Sequence, residues 1–161
     1  MKVAFWSGHC CERGTDVALF DYADCGESEL GLVAYVLYDV NSPDNFQGCI
    51  AKFRDRFGGR LVGVNGFEGV DEVLARENIL HLYMIKIVND KHKISQLPGV
   101  RTLVHAVFYG EGGAHGDVYA KISPCVTGDL PVVPHIVRPA QIEGPGAPRP
   151  RRAKSTSMKD R

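Results

Sequence analysis

Residues 2–26 read KVAFWSGHCCERGTDVALFDYADCG, and this stretch decides the fold. Lys2 to Trp6 is an apolar run typical of a strand that is covered on both faces of a parallel sheet. A turn-rich loop follows from Gly8 to Gly14, and Thr15 is then a candidate N-cap with Asp16 in the first helical turn. Apolar residues recur at helical spacing after that point. The sequence therefore predicts a strand, a loop and a helix.

The same unit recurs along the chain. Further runs rich in apolar and β-branched residues are bounded by turn residues, and amphipathic segments separate the first of them. Strands are predicted at 32–39, 60–64, 80–87 and 102–108, and helices at 44–57 and 70–78. Because strands that alternate with helices of about ten residues favour parallel pairing, we predict an α/β fold with a mostly parallel sheet flanked by helices.

The last third of the chain changes character. A Gly-rich loop leads to a short apolar run at 118–122, and the run at 132–137 contains Pro134, which suits an edge strand. We expect one domain over residues 1–137. Residues 138–161 alternate proline with glycine, arginine and lysine and have no apolar period, which predicts a disordered tail.

Charge divides at the same place. Residues 1–137 carry 12 basic and 17 acidic side chains, a net charge of −5, whereas residues 138–161 carry 7 and 2, a net charge of +5. A basic tail can bind nucleic acid, but a solvated terminus is the commoner role, and we assign no nucleic-acid partner.

Composition is that of a globular protein, with 44% hydrophobic and 24% charged residues. No stretch approaches the roughly 18 apolar residues of a membrane span, and the first ten residues lack a signal-peptide hydrophobic region, so we expect a soluble, cytoplasmic protein. The five cysteines are odd in number and have neither CxxC nor zinc-ribbon spacing. We interpret them as reduced thiols and assign no metal, although the adjacent Cys10 and Cys11 could in principle attract one.

Ligands of open parallel sheets bind beyond the carboxyl ends of the strands. The loop from Gly8 to Thr15 leads into a helix N-terminus, which favours phosphate, and Arg13 could add a positive charge. The alternative is that Gly8 and Gly14 only satisfy turn geometry and that Arg13 is a surface residue. A dinucleotide fingerprint G-x-G-x-x-G is absent, so Asp39 at the end of the second strand is weak support for a bound NAD.

Three further residues are candidate contacts. His105 lies within an apolar run near the expected carboxyl end of the fifth strand, where it is either a ligand-facing group or a core histidine with a hydrogen-bonded ring. His115 and Asp117 lie in the following Gly-rich loop, and we expect them to be exposed at the same side of the sheet.

Six segments together are similar to the N-terminal domains of retaining GT-B glycosyltransferases, over roughly residues 1–138. In chain order they are Val3-Ala4-Phe5, RGTDVAL from Arg13, LYMIK from Leu82, TLVHAVF from Thr102, HGDVYA from His115 and VPHIV from Val133. The resemblance implies a Rossmann-like domain, one GT-B-type half.

In such enzymes the N-terminal domain binds the acceptor, a second domain binds the sugar nucleotide, and transfer occurs in the cleft between them. The resemblance implies that the loop from Gly8 through Arg13 and Gly14 to Thr15 approaches the donor phosphates. It places His105 near the transferred sugar as a catalytic residue, with His115 and Asp117 as substrate contacts.

The second domain of these enzymes has no counterpart after Val137. We therefore expect a truncated protein that has little or no activity alone and no cofactor besides the donor sugar nucleotide. Either a separate donor-binding chain or a homodimer would complete its cleft. Its other partner would be a carbohydrate or glycoconjugate acceptor. The alternative is a non-catalytic relative that binds carbohydrate or a partner protein.

Overall fold

The computed structural model describes residues 1–86, 93–107, 114–126 and 129–136. Within these ranges the chain forms six strands and three α-helices, with a short 3₁₀ turn at Gly58–Arg60. In chain order they are β1 (Lys2–Ser7), α1 (Gly14–Leu30), β2 (Val33–Asp39), α2 (Gln47–Phe57), β3 (Leu61–Val64), α3 (Glu68–Glu77), β4 (His81–Lys86), β5 (Arg101–Ala106) and β6 (Val118–Lys121).

The six strands form one sheet in the order β3-β2-β1-β4-β5-β6, and every pairing is parallel. This is the order of a doubly wound Rossmann-like fold. The predicted α/β class and the parallel sheet are therefore confirmed. The sheet is more regular than predicted, because no antiparallel pair occurs among the described strands.

Each face of the sheet has its own core. On one face α1 and α2 cover alternate residues of β1 and β2, and Phe53 and Phe57 of α2 meet Phe20 of α1 edge-on. On the other face α3 packs on β1, β2 and β4 through Val70, Val73 and Leu74. The interior residues of β1 are at most 7% exposed, which explains why this strand is apolar without alternation.

Several predicted boundaries differ from the structure. Helix α1 begins one residue before Thr15, with Arg13 as N-cap, because the Arg13 carbonyl accepts the amides of Asp16 and Val17 at 3.0 and 3.1 Å. Likewise α2 begins after Phe46 rather than at Asp44. Of the predicted edge strand at 132–137, the described residues 132–136 form one parallel bridge, between Val132 and Lys121, since Pro131 and Pro134 cannot donate ladder hydrogen bonds.

The predicted disordered tail at 138–161 lies outside the described residues. None of the helices in the described part of the chain is long and apolar enough to cross a membrane.

Candidate functional site

The topology places the candidate site at the carboxyl ends of β1 and β4. The chain runs from β1 to β2 and β3 on one side and from β4 to β5 and β6 on the other, so the order reverses between β1 and β4. Ligands of doubly wound sheets bind at such a switch point. The loop 8–13, which joins β1 to α1, lies there.

The segment before α2 holds this loop in place. The Cys10 amide donates to Asn45 Oδ1 at 2.9 Å, and the Cys10 carbonyl accepts the Phe46 amide at 2.9 Å. The Cys49 thiol of α2 donates to the Cys11 carbonyl at 3.0 Å. Because Cys10 and Cys11 are both bonded to residues 45–49, the backbone at the centre of the loop is held in place without a ligand.

Cysteines 10 and 49 are buried neighbours. Their sulfur atoms lie 3.6 Å apart, and all five cysteines of the chain are free thiols, as the sequence predicted. Burial raises the pKa of both thiols, so neither is ionised near neutral pH.

A polar cluster forms around Asp16, whose side chain is 1% exposed. Ser7 Oγ donates to Asp16 Oδ1 at 2.5 Å. The other carboxylate oxygen, Oδ2, lies 3.0 Å from His9 Nδ1 and 3.0 Å from Cys11 Sγ. Asp16 is the third helical residue after the N-cap, and its side chain turns inward to these three groups.

The charges of this cluster follow from its contacts. The hydrogen bond to Asp16 raises the pKa of His9, and burial opposes that shift. Burial, followed by the hydrogen bond to Asp16, raises the pKa of Cys11 to about 11. Cys11 is therefore a neutral thiol near pH 7 rather than an activated nucleophile.

The cluster is not a Cys-His-Asp catalytic relay. In a relay one ring nitrogen of the histidine faces the nucleophile and the other faces the carboxylate. Here the same atom, His9 Nδ1, lies 3.7 Å from Cys11 Sγ and 3.0 Å from Asp16 Oδ2. Thiol-based covalent catalysis therefore has no support at this site.

Gly8 and Gly14 have ordinary backbone conformations. Neither has a positive φ, and a Cβ atom placed on either glycine would meet no heavy atom within 4 Å. Turn geometry therefore does not require glycine at these positions, in contrast to Gly31, which ends α1 at φ 63°. The space over both residues is open to a close approach by a ligand.

The remaining predicted phosphate contacts differ in position. Thr15, with Gly8 and His9, lines a cavity of about 10 Å³ at the end of β1, which is room for roughly one water molecule. Arg13 points to the surface, where its guanidinium forms two 3.2 Å hydrogen bonds with the carboxylate of Asp44. Its side chain is 62% exposed, so this ion pair is a weak, screened one.

The structure gives His105 a buried, fully hydrogen-bonded ring. Nε2 donates to the Val133 carbonyl at 2.7 Å, because a carbonyl only accepts, and Nδ1 then accepts the Tyr83 hydroxyl at 2.7 Å. Burial lowers the pKa of His105, so the ring is neutral at pH 7. This is the core geometry that the sequence left open, and a catalytic role for His105 stays a prediction.

His115 and Asp117 come directly before β6, at the amino ends of the strands, whereas the β1 loop lies at the carboxyl ends. The Asp117 amide donates to the Thr102 carbonyl at 2.8 Å, and its carboxylate accepts the Thr102 amide at 2.7 Å. Thr102 is near the start of β5, so the amino ends of the strands meet here. The expectation that both residues lie on the same side of the sheet as the β1 loop was wrong, because β6 is parallel to β5 and both residues come directly before β6.

Asp39 ends β2, where a ribose-binding acid would lie. One of its oxygens, Oδ1, accepts the amides of Asn41 at 2.9 Å and Gly66 at 3.1 Å. These bonds join the loops after β2 and β3. Asp39 therefore has a structural role in this fold.

The sequence reasoning missed the partners of Asp16. A histidine and a cysteine two residues apart, followed by an acid in the first turn of a helix, was the available signal. It is not a standard metal or catalytic motif, so only the fold reveals the convergence.

Comparison of the chain with models of known protein families, with curated proteins and with solved structures gives no match.

Proposed function

We propose that this chain is the acceptor-side domain of a sugar-nucleotide-dependent glycosyltransferase of the GT-B type. The proposal is supported by where the resembling segments lie. They fall on β1, the start of α1, β4, β5 and β6 in order, and Val133, the first residue of the VPHIV segment, accepts a hydrogen bond from His105 of β5. Segments far apart in sequence thus lie on the four adjacent strands β1, β4, β5 and β6.

The observation that carries the proposal is the open space over Gly8 and Gly14. Neither glycine is required by its φ angle or by a neighbouring atom. Both flank a loop at the switch point, next to the N-terminus of a 17-residue helix whose N-cap Arg13 makes no side-chain capping bond. A helix N-terminus with small flanking residues is suited to a phosphate group.

The position of Asp16 is compatible with an anion at this place. An acid in the first helical turn would repel a phosphate if its charge faced the ligand. The Asp16 side chain is instead buried and accepts from Ser7, His9 and Cys11. Its charge is held on the inner side of the helix start, away from the solvent side of the loop.

A titration with nucleoside diphosphates and their sugar conjugates tests the proposal. Binding should be weak, in the millimolar to micromolar range, because one half of the cleft supplies only part of the contacts. Gly8→Ala should weaken binding by about tenfold or more, since the new methyl group occupies the ligand's space. The free energy of unfolding should change by less than about 0.5 kcal/mol.

Gly59→Ala is the matched control. Gly59 also has no positive φ and no atom within 4 Å of an added Cβ, but it lies in the turn after α2. This variant should bind like the unmodified protein. Equal affinity of the Gly8→Ala and Gly59→Ala variants for a nucleoside diphosphate would contradict the proposed site.

Two features favour the alternative, a non-catalytic relative that binds carbohydrate or a partner. The cavity at the end of β1 has room for only one water, and both ring nitrogens of His105 are already bonded. For His105 to contact a sugar, the segment containing Val133 must move. Binding of free glycans without any response to nucleoside diphosphates would establish this alternative over the first proposal.

A further inference from the structure

We propose that His9, Cys11 and Asp16 form a binding site for one divalent transition-metal ion, and that Zn²⁺ fits this donor set best. The site goes beyond the proposed function and does not depend on it. An imidazole nitrogen, a thiolate sulfur and a carboxylate oxygen are all ligands that zinc takes in proteins.

The three donor atoms converge on one point. They lie within 4.8 Å of one another, with separations of 3.0 Å for His9 to Asp16, 3.0 Å for Cys11 to Asp16 and 3.7 Å for Cys11 to His9. Zinc bonds of about 2.0–2.3 Å at tetrahedral angles put donor atoms roughly 3.3–3.6 Å apart. Shifts of a few tenths of an ångström therefore convert the hydrogen-bonded cluster into a coordination site.

The use of a single nitrogen by both partners supports this geometry. His9 directs Nδ1 to the sulfur and to the carboxylate together, which is unsuited to a relay but is what a shared metal ion requires. The Ser7 hydroxyl holds the second oxygen of Asp16 at 2.5 Å, the position of an outer partner that orients a ligating carboxylate.

Charge and burial also fit a divalent cation. All three residues are at most 9% exposed, and the loop that carries His9 and Cys11 is fixed by bonds to Asn45 and Cys49. On binding, the ion displaces the proton of the Cys11 thiol and any proton on His9 Nδ1, and these protons go to solvent. Two negative ligands and one neutral ligand then balance the ion's two positive charges.

A water in a small cavity beside His9 and Ser7 can serve as the fourth ligand. The cavity of about 10 Å³ lined by His9, Ser7, Gly8 and Thr15 adjoins the cluster. Three protein ligands and one solvent position are the arrangement of an open rather than a closed zinc site.

Titration of the metal-free protein with Co²⁺ tests the site. We expect one equivalent to bind, with a thiolate-to-cobalt charge-transfer band in the near ultraviolet and visible bands of tetrahedral intensity, and Zn²⁺ should abolish both. Zn²⁺ should also raise the melting temperature. Cys11→Ser keeps a hydrogen-bond donor to Asp16 but removes the sulfur, so the charge-transfer band should disappear and the affinity should fall by about tenfold or more.

Another thiol provides the control. Cys125→Ser removes an exposed thiol outside the cluster, and this variant should bind Co²⁺ like the unmodified protein. His9→Gln gives a second ligand variant if Cys11→Ser does not fold. The proposal fails if no saturable Co²⁺ or Zn²⁺ binding occurs. It also fails if the band persists in Cys11→Ser, which would assign the metal to another thiol, or if the band disappears in Cys125→Ser.

Discussion

His105→Phe should lower the free energy of unfolding by about 2–4 kcal/mol. The substitution removes the bonds from Nε2 to the Val133 carbonyl and from the Tyr83 hydroxyl to Nδ1. A buried polar group that loses its partner costs about 1–3 kcal/mol. Val133 is 43% exposed, so its carbonyl can regain water. The expected loss of stability therefore lies in the lower half of the range that two such lost bonds span.

A double-mutant cycle with Tyr83→Phe isolates the bond between the two side chains. Tyr83→Phe alone leaves Nδ1 of His105 without its donor, whereas the double variant removes both partners together. The double variant should therefore be more stable than the sum of the single effects by about 1 kcal/mol. Urea unfolding at pH 7.5, followed by tryptophan fluorescence and far-ultraviolet circular dichroism, measures each term.

His81→Phe is the matched control for this cycle. His81 begins the neighbouring strand β4. Its side chain is half-buried and makes no hydrogen bond to a described residue. Its substitution should change stability by less than about 0.5 kcal/mol. If His105→Phe is as stable as His81→Phe, the two hydrogen bonds of His105 are not formed in solution and its position in the core is wrong.

Three other predictions concern charge, pH and turnover. Glu27→Gln should lower the free energy of unfolding, measured in urea, by about 1–3 kcal/mol, because the Glu27 carboxylate accepts the Ala34 amide and pairs with Arg56 and Arg60. Partial exposure of the two arginines keeps the effect below that of a fully buried pair, and unchanged stability would show that solvent screens this network. Burial lowers the pKa of His105 below its ordinary value of 6.5, so the unfolded state takes up a proton first as pH falls. The free energy of unfolding should therefore decline below about pH 6.5, by at most ~1.4 kcal/mol per pH unit for this group, and the decline should be shallower in His105→Phe. Identical slopes for the two proteins would refute a buried, neutral His105. The purified chain should transfer no sugar above background, because positioning of donor and acceptor is worth as much as ~7–11 kcal/mol and half a cleft supplies only part of it; robust turnover that His105→Ala abolishes would show that this chain is a complete catalyst.

The pattern of the sequence was sufficient for the sheet. Apolar runs such as Val3 to Trp6 are continuous because helices cover both faces, and their alternation with amphipathic segments predicted parallel pairing but not the order of the strands. Helix ends were less predictable. Thr15 has the better capping side chain, but the backbone of Arg13 closes the first turn, and no capping side chain is used there.

The candidate site could be predicted only in part. The rule on carboxyl ends identified the loop from Gly8 to Thr15, because it depends on topology alone. The rule failed for His115 and Asp117. A residue early in the connection between two parallel strands lies at their carboxyl ends, but a residue just before the next strand lies at their amino ends. The cluster of His9 and Cys11 with Asp16 depends on the direction of three side chains, which one-dimensional spacing does not contain.

The location of nucleotide binding tests the central claim most directly. Amide chemical shifts of the ¹⁵N-labelled protein should be recorded during titration with a nucleoside diphosphate sugar. The largest shifts should occur in residues 8–16, at the carboxyl end of β1 and the start of α1. Largest shifts near Thr102 and Asp117, at the opposite edge of the sheet, or no shifts at millimolar ligand, would contradict it.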